Sequence, residues 1–564
     1  MTQKMDSLKQ YKKKSKLLPF FALILLGLSR AIVGAPDCEA GQFYITYGDK
    51  YSNFNPKSTH MLTIGLVVNS NNQPGSPACD PGSTILELTP KDSTKPKIQL
   101  KPTKTTPYTY KEPQLKLNYT RTSVFFYLNQ KTLSKAPKNL QYQITLKNQT
   151  YGPFSYLRKP LQPSAEETQA INIFWIADMD ISNISTHTQS RLNKTDWSQY
   201  DCMVQTGDFA YDIVDDNGLR GDNYFKNLET PLTRTTFLQT PGNHENYDAA
   251  RMLNYRFRMP LSFMDNGTWA VDSSNYYTVI LGPVQLFFIS YDFIFEIYPT
   301  RWKTYLAAME ADLKKSSLNE DVKWRVVMTH RPIYCSDSAT IDCFINPITI
   351  RPFEALYNKY KVDFHLNGHE HFYERLKFID GFQLYSPTTR TSKDGVEMVK
   401  HAGKPVYIIN GCAGNEEYWP ATVDTENLNV KVVADKECYS TLEIDSERFW
   451  MRLFDSETND VLDSVQYFRT NLPPSNNPGL VYDVIIGCMV VLLLFVILIL
   501  FLVLRRKRAG RGQGPSLRET GYGFVGSQET KEAKGEVVVE EEDDVVQEIV
   551  EGEEKKFEVE VKVE

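Results

Sequence analysis

Between residues 171 and 414, apolar runs of strand length recur, and most of them break off into a polar side chain able to bind a metal ion. In order they read "INIFWIAD", "YDCMVQTGD", "TTFLQTPGNHE", "VQLFFISYD", "WRVVMTH", "VDFHLNGHEH" and "PVYIINGCAG". Loops and helical stretches separate them, among them the amphipathic "RWKTYLAAMEADLKKSS". Strands alternating with helices predict an α/β domain, set here at 166–470. In open α/β sheets, ligands gather beyond the carboxyl ends of strands. The recurrence therefore predicts one site assembled from several strand ends.

The chain is 564 residues long, enough for more than one domain, and its net charge of -6 gives no reason to expect a nucleic-acid binder. Residues 36–165 are rich in Thr, Tyr, Lys, Pro and Asn. Alternating runs such as "HMLTIGLVV", "SVFFYL" and "LQYQITL" lie between turn-formers. That pattern predicts a separate all-β, fibronectin-like sandwich with no catalytic constellation.

Both ends carry targeting signals. "KQYKKKSK", a short apolar core and the small residues of "AIVGA" predict a signal peptide over 1–35. The Pro-rich stretch 471–483 reads as a stalk. Val484–Leu504 then holds no charge, and at about 1.5 Å per residue it is long enough to cross a bilayer as a helix. "RRKR" follows and holds its flank cytosolic. The expectation is a single-pass type I membrane protein, with its ectodomain extracellular or in the endosomal/lysosomal lumen. The cytosolic tail is the acidic, low-complexity segment 505–564. In it, Tyr522 and Val525 of "GYGFV" have the spacing of an endosomal sorting signal, which makes a sorting adaptor an expected partner.

Seven of the eight cysteines precede the span, in a compartment that lets them pair. Cys335 with Cys343 is the expected disulfide, and Cys38 with Cys79 a second candidate. Cys202, inside an apolar run, is the expected buried free thiol. Asn118, Asn148, Asn183, Asn193 and Asn266 head glycosylation triplets on the same side.

The polar residues at the strand ends are Asp178, Asp208, Asn243, His244, His330, His369 and His371, with Tyr211 three residues after Asp208. Oxygen and nitrogen donors in this mixture suit a hard or borderline cation. Setting His244 aside, seven donors are too many for one ion and enough for two. Two ions about 3.5–4 Å apart are an arrangement that hydrolyses phosphate esters.

The blocks "DMD", "GDFAY", "GNHE", "VMTH" and "GHEH", in that order, resemble the five motifs of the purple acid phosphatases. "NYRFRMP" and "GHEHFYERL" read like the animal-type members. The resemblance implies a metallophosphoesterase fold of two mixed sheets flanked by helices. It also implies a phosphate monoester substrate and a metal-activated hydroxide as nucleophile. It gives Asp178, Tyr211 and His371 to a ferric ion, and Asn243, His330 and His369 to a divalent ion (iron, zinc or manganese), with Asp208 bridging. His244 matches the histidine that protonates the leaving alcohol. Glu245 beside it is expected to raise its pKa, and an acidic optimum follows.

The first block departs from the family pattern, because Asp180 stands where glycine is usual. Asp180 is either an extra ligand or a hydrogen-bonded group behind the ligands. His60, His187 and His401 belong to no block and are read as surface residues, and His365 as a core histidine. Asn410 and Asn415 lie either in a loop near the site or in a plain turn. Two other functions fit parts of the pattern: a two-metal phosphodiesterase acting on nucleotides or lipid headgroups, and a catalytically inactive receptor or adhesion ectodomain.

Overall fold

The computed structural model describes residues 38–47, 60–71, 79–108, 119–158, 170–248 and, with breaks, 251–472; the longest breaks are 261–274 and 418–428. The expected signal peptide, membrane span, cytosolic tail and Tyr522–Val525 signal lie outside the described residues, as do Asn118 and Asn266. Among the described residues no helix is long and apolar enough to cross a membrane. Asn148, Asn183 and Asn193 are exposed.

Two large sheets carry the α/β body. In the first, Ile171–Ile176, Cys202–Thr206 and Thr236–Thr240 run parallel at the centre. In the second, Val284–Ile289, Trp324–Met328, Phe364–Asn367 and Val406–Asn410 run parallel in that order. The runs are apolar on consecutive residues because each central strand is covered on both faces. The two-residue side-chain period divides them between two cores. Leu286, Phe288, Val326, Met328 and Leu366 face the cluster shared with the first sheet. Phe287, Ile289 and Val327 face a second cluster. That second face is covered by the helices Trp302–Ser317, the amphipathic segment expected from sequence, and Arg351–Lys359. Antiparallel strands flank both parallel runs, so the expected pair of mixed sheets with helices outside is observed.

The N-terminal region is all-β, as expected, but it is not a body apart. Cys38–Tyr47 pairs parallel with Thr236–Thr240, through Ile45 opposite Thr236. His60–Asn71, Tyr119–Asn129 and Lys104–Tyr108 then continue the same sheet to its edge, making it 12-stranded. Only Ile98–Leu100, Ile85–Leu88, Asn139–Leu146 and Gln149–Leu157 form a sheet of their own. That sheet packs on the extension through Phe43, whose ring centroid lies 5.2 Å from those of Tyr151 and Phe154. A single apolar cluster runs from Ala40 to Tyr467. The composition change near residue 165 therefore does not divide two separate cores.

A buried ionic knot ties this extension to the helix Leu219–Asn227. Asp222 accepts hydrogen bonds from Arg121 Nη2 at 2.7 Å, Arg256 Nη2 at 2.7 Å and Gln42 Nε2 at 2.9 Å. Burial alone would raise the Asp222 carboxyl, but Arg256 and Arg121 outweigh it and hold the group below its usual value.

The disulfides are Cys38–Cys79, Cys335–Cys343 and Cys412–Cys438, and Cys202 is a buried free thiol. Both expected pairs and the expected free thiol are present. The Cys412–Cys438 pair has no counterpart in the sequence reading.

Candidate metal centre

The donors arrive on tight turns at the ends of the parallel strands. Asp178 follows Ile171–Ile176, and Asp208 and Tyr211 follow Cys202–Thr206. Asn243 and His244 follow Thr236–Thr240, His330 follows Trp324–Met328, and His369 and His371 follow Phe364–Asn367. Asp178, Asp208, Tyr211 and His369 all have positive φ (59°, 51°, 42° and 75°), so the chain turns sharply just where the donors leave the sheet. The glycines of "GNHE" and "GHEH" have a steric reason. A Cβ on Gly242 would overlap Asp208 Oδ1, and one on Gly368 would overlap Asp178 Oδ2.

All seven expected donors converge, and they fall into two groups that share Asp208. Asp178, Asp208 and His371 offer ligand atoms within one cation's reach, as do Asp208, His330 and His369. Tyr211 belongs to the first group, its hydroxyl 3.0 Å from His371 Nε2 and 3.3 Å from Asp178 Oδ1. Asn243 belongs to the second, its Oδ1 3.0 Å from both His330 Nε2 and His369 Nδ1. His330 Nε2 lies 3.2 Å from Asp208 Oδ2 and 4.0 Å from Asp178 Oδ1, so the groups are contiguous.

The other nitrogen of each imidazole has an acceptor behind it. His330 Nδ1 donates to Thr206 O at 2.9 Å and His371 Nδ1 to Glu417 O at 3.1 Å. His369 Nε2 lies 2.6 Å from Asp342 Oδ2. Such outer partners select the tautomer whose inward lone pair can bind a cation.

Electrostatics point the same way. Burial pushes His371 down to about 4 and lowers His369, which favours the neutral donor form of each. Burial also pushes Asp178 up to about 8, against the pull of His330; only a neighbouring cation keeps so buried a carboxylate ionised. At His330 burial is outweighed by Asp208 and Asp178, which raise it well above its usual value. A metal ion and this proton compete for the same negative charge. Tyr211 is pushed well above the usual phenol range by burial, then by Asp178 and Asp208, so ionising it takes a strongly charged neighbour. The donor set thus fits two cations, one on the tyrosine side and one on the amide side.

His244 stands at the edge of this cluster. Its Nε2 is 3.8 Å from Asp208 Oδ2 and 3.4 Å from Glu417 Oε2, and its Nδ1 is 2.6 Å from Asp212 Oδ1. Burial would lower His244, but the hydrogen bond to Asp212, then the charge of Asp208, lift it to about 10. The expected cause, Glu245, is a minor contributor. Its carboxylate is committed to the backbone N–H groups of Asp208, Phe209 and Gly242, at 3.0, 3.0 and 2.9 Å, and builds the turn.

Asp180 is in neither donor group. It is buried, and its Oδ1 accepts from Arg220 Nη2 at 2.6 Å and from the N–H of Ile181 at 2.6 Å. Of its two readings, the group behind the ligands is the one this pairing supports. Asn415 reaches the site, its Nδ2 donating to Asp178 O at 3.3 Å, and Asn410 Nδ2 donates to Trp175 O at 3.1 Å. His365 is a core histidine among Tyr291, Tyr357 and Tyr407, lowered by burial to about 3. His187 is exposed, as expected. His401 is not: it is caged by Trp324, Phe364 and Phe378, with Nε2 3.2 Å from Asp363 O.

The sequence reading missed Asp212, Asp342 and Glu417, because none lies in a motif and each acts only through a contact across space. A carboxylate four residues after Asp208 was the one available hint.

Comparison with known proteins agrees with this geometry. The family model of the calcineurin-like phosphoesterases matches residues 186–373. Acid phosphatase type 7 of Homo sapiens is 28% identical over 305 residues, covering 52% of this chain and 65% of that protein. Acid phosphatase type 7 of Danio rerio is 30% identical over 264 residues, covering 42% and 54%. The chain thus spans between half and two thirds of the length of these acid phosphatase type 7 relatives. Among solved structures, the purple acid phosphatase PPD1 of yellow lupin (Lupinus luteus) seeds has a TM-score of 0.56 at 15% identity, covering 77% of this chain and 75% of that one, and so shares its fold. Residues 186–373 thus match the calcineurin-like phosphoesterases, and the chain is similar in sequence to acid phosphatases and in fold to a purple acid phosphatase.

Proposed function

We propose that this protein is a membrane-anchored acid phosphatase that hydrolyses phosphate monoesters at a two-metal centre. The observation that carries the reading is the pair of donor groups sharing Asp208. A ferric ion suits the Asp178–Tyr211–His371 side, where a phenol must be ionised, and a divalent ion suits Asn243, His330 and His369. When bound, such ions supply a hydroxide nucleophile and neutralise the oxygens of the phosphate.

The chain's own residues do the rest. Asp208 holds the two halves in register. His244, lifted by Asp212, keeps a proton ready for the departing alcohol oxygen. Arg220 offsets the extra carboxylate of Asp180, so that the added charge of the first motif stays behind the site. The apolar segment Val484–Leu504 and the basic residues after it support a type I anchor with the catalytic domain outside the cytosol.

The test is hydrolysis of an aryl phosphate across pH by the purified protein supplied with iron and zinc, with Asp208→Asn as control. Activity on the acid side that disappears in the variant is the expected result. A folded wild-type protein without activity at any pH overturns the proposal.

A further inference from the structure

Of the three histidines that converge on the centre, two turn their outer nitrogen to a backbone carbonyl, Thr206 O for His330 and Glu417 O for His371. His369 alone turns it to a carboxylate, Asp342 Oδ2, at 2.6 Å. The difference has a chemical consequence. A carbonyl orients an imidazole, whereas a carboxylate also adds negative charge through the ring and makes the inner nitrogen a stronger donor. The inner atom here is Nδ1, 3.0 Å from Asn243 Oδ1 and 3.3 Å from His330 Nε2.

Asp342 is well held in that place. It opens the helix Asp342–Thr349, and its neighbour Cys343 is crosslinked to Cys335, so the chain leaving His330 is looped back onto His369. Arg331, next to His330, donates from Nη1 to the same Asp342 Oδ2 at 2.6 Å. The guanidinium is itself fixed by Asp292 at 2.7 Å and Glu296 at 2.9 Å. Two short hydrogen bonds converge on one carboxylate oxygen, and the crosslink keeps the backbone from drifting away.

We propose that Asp342 is a positioning residue that fixes the Nε2–H tautomer of His369 and tightens the hold of the Asn243–His330–His369 half of the centre on a divalent cation. The inference rests on the functional reading above for the assignment of His369 as a ligand. It adds that the two halves differ in how their histidines are supported, and it gives the Cys335–Cys343 crosslink a task.

The experiment uses the full-length protein in detergent, with zinc as the probe. Bound zinc is counted by elemental analysis, and its affinity is measured by competition with a chelator, for wild type, Asp342→Asn and Asp342→Glu. Metal-free melting curves check that each variant folds. The expected result is two sites in the wild type, one of them weakened about 10- to 100-fold in Asp342→Asn and largely restored in Asp342→Glu. Excess zinc then recovers the kcat that Asp342→Asn loses. If Asp342→Asn does not fold, Cys335→Ala/Cys343→Ala, which leaves the carboxylate but frees its loop, must show the same weakened site. Two wild-type sites with unchanged affinity in the folded variant overturn the proposal and leave the functional reading standing. A wild-type protein that binds no zinc, iron or manganese overturns both.

Discussion

At the scale of single residues, Asp212 and His244 allow a sharp test. The imidazole is lifted to about 10 chiefly because its hydrogen bond to Asp212 and the charge of Asp208 outweigh burial. If His244 delivers the proton to the leaving alcohol, His244→Ala lowers kcat by about 10²- to 10⁴-fold. Asp212→Asn removes a negative charge that favours the imidazolium, so the folded-state pKa of His244 falls. The protonated fraction is then lost at lower pH, and the alkaline limb of kcat/KM moves toward acid while the acid limb stays. A pH–rate profile that drops evenly at every pH gives Asp212 a structural role only. The ligands themselves were legible in the sequence because they sit in short motifs at strand ends, three of them (Asp208, Asn243 and His369) directly after a glycine that a larger residue cannot replace. Asp212 and Asp342 were not, because a carboxylate behind a histidine carries no local pattern; only the folded chain brings the pair within 2.6 Å.

Elements tell a different story. Alternation and apolar runs were enough to identify the strands of both parallel sets and the helix Trp302–Ser317. They could not show that Cys38–Tyr47 pairs with Thr236–Thr240 across about 190 residues of chain, because register between distant strands leaves no trace in either strand alone. A consequence follows for cutting the protein. A fragment of residues 166–470 exposes the edge of Thr236–Thr240 and loses Gln42 and Arg121 from the ionic knot, so it is expected to aggregate when expressed alone. A soluble, monomeric fragment by size exclusion would contradict this. The knot gives a finer version of the same test. Asp222→Ala leaves the Arg121 and Arg256 guanidiniums, both 1% exposed, without the carboxylate between them. Loss of one partner from a buried ionic group costs about 3–5 kcal/mol, which a denaturant midpoint resolves easily. A change within about 0.5 kcal/mol would mean that strand pairing and apolar packing hold the extension without help from the knot.

For the whole molecule, the anchor reading predicts on which side of a membrane catalysis takes place. The described strands end with Val461–Phe468, which lies inside the larger sheet between Arg448–Asp455 and Glu397–Lys400, and the chain through Ser475 forms one compact unit. Nothing in the site's donor set requires residues beyond it. The uncharged run Val484–Leu504 and the "RRKR" that follows have the length and charge of a membrane anchor, and the disulfides and exposed Asn148, Asn183 and Asn193 suit an oxidising, glycosylating compartment. If this reading holds, the full-length protein stays with membranes through an alkaline carbonate wash. A chain ending at Ser475 is then released, with its melting temperature and aryl phosphatase activity unchanged. Protease added to sealed vesicles of one orientation that contain the protein should spare either the catalytic unit or the acidic tail, never both, because the membrane separates them. Full-length protein in the wash supernatant would remove the anchor from the proposal and leave the two-metal chemistry untouched. A truncated chain that is soluble yet inactive would instead place part of the working site beyond Ser475, against the closure of the donor groups within the first unit.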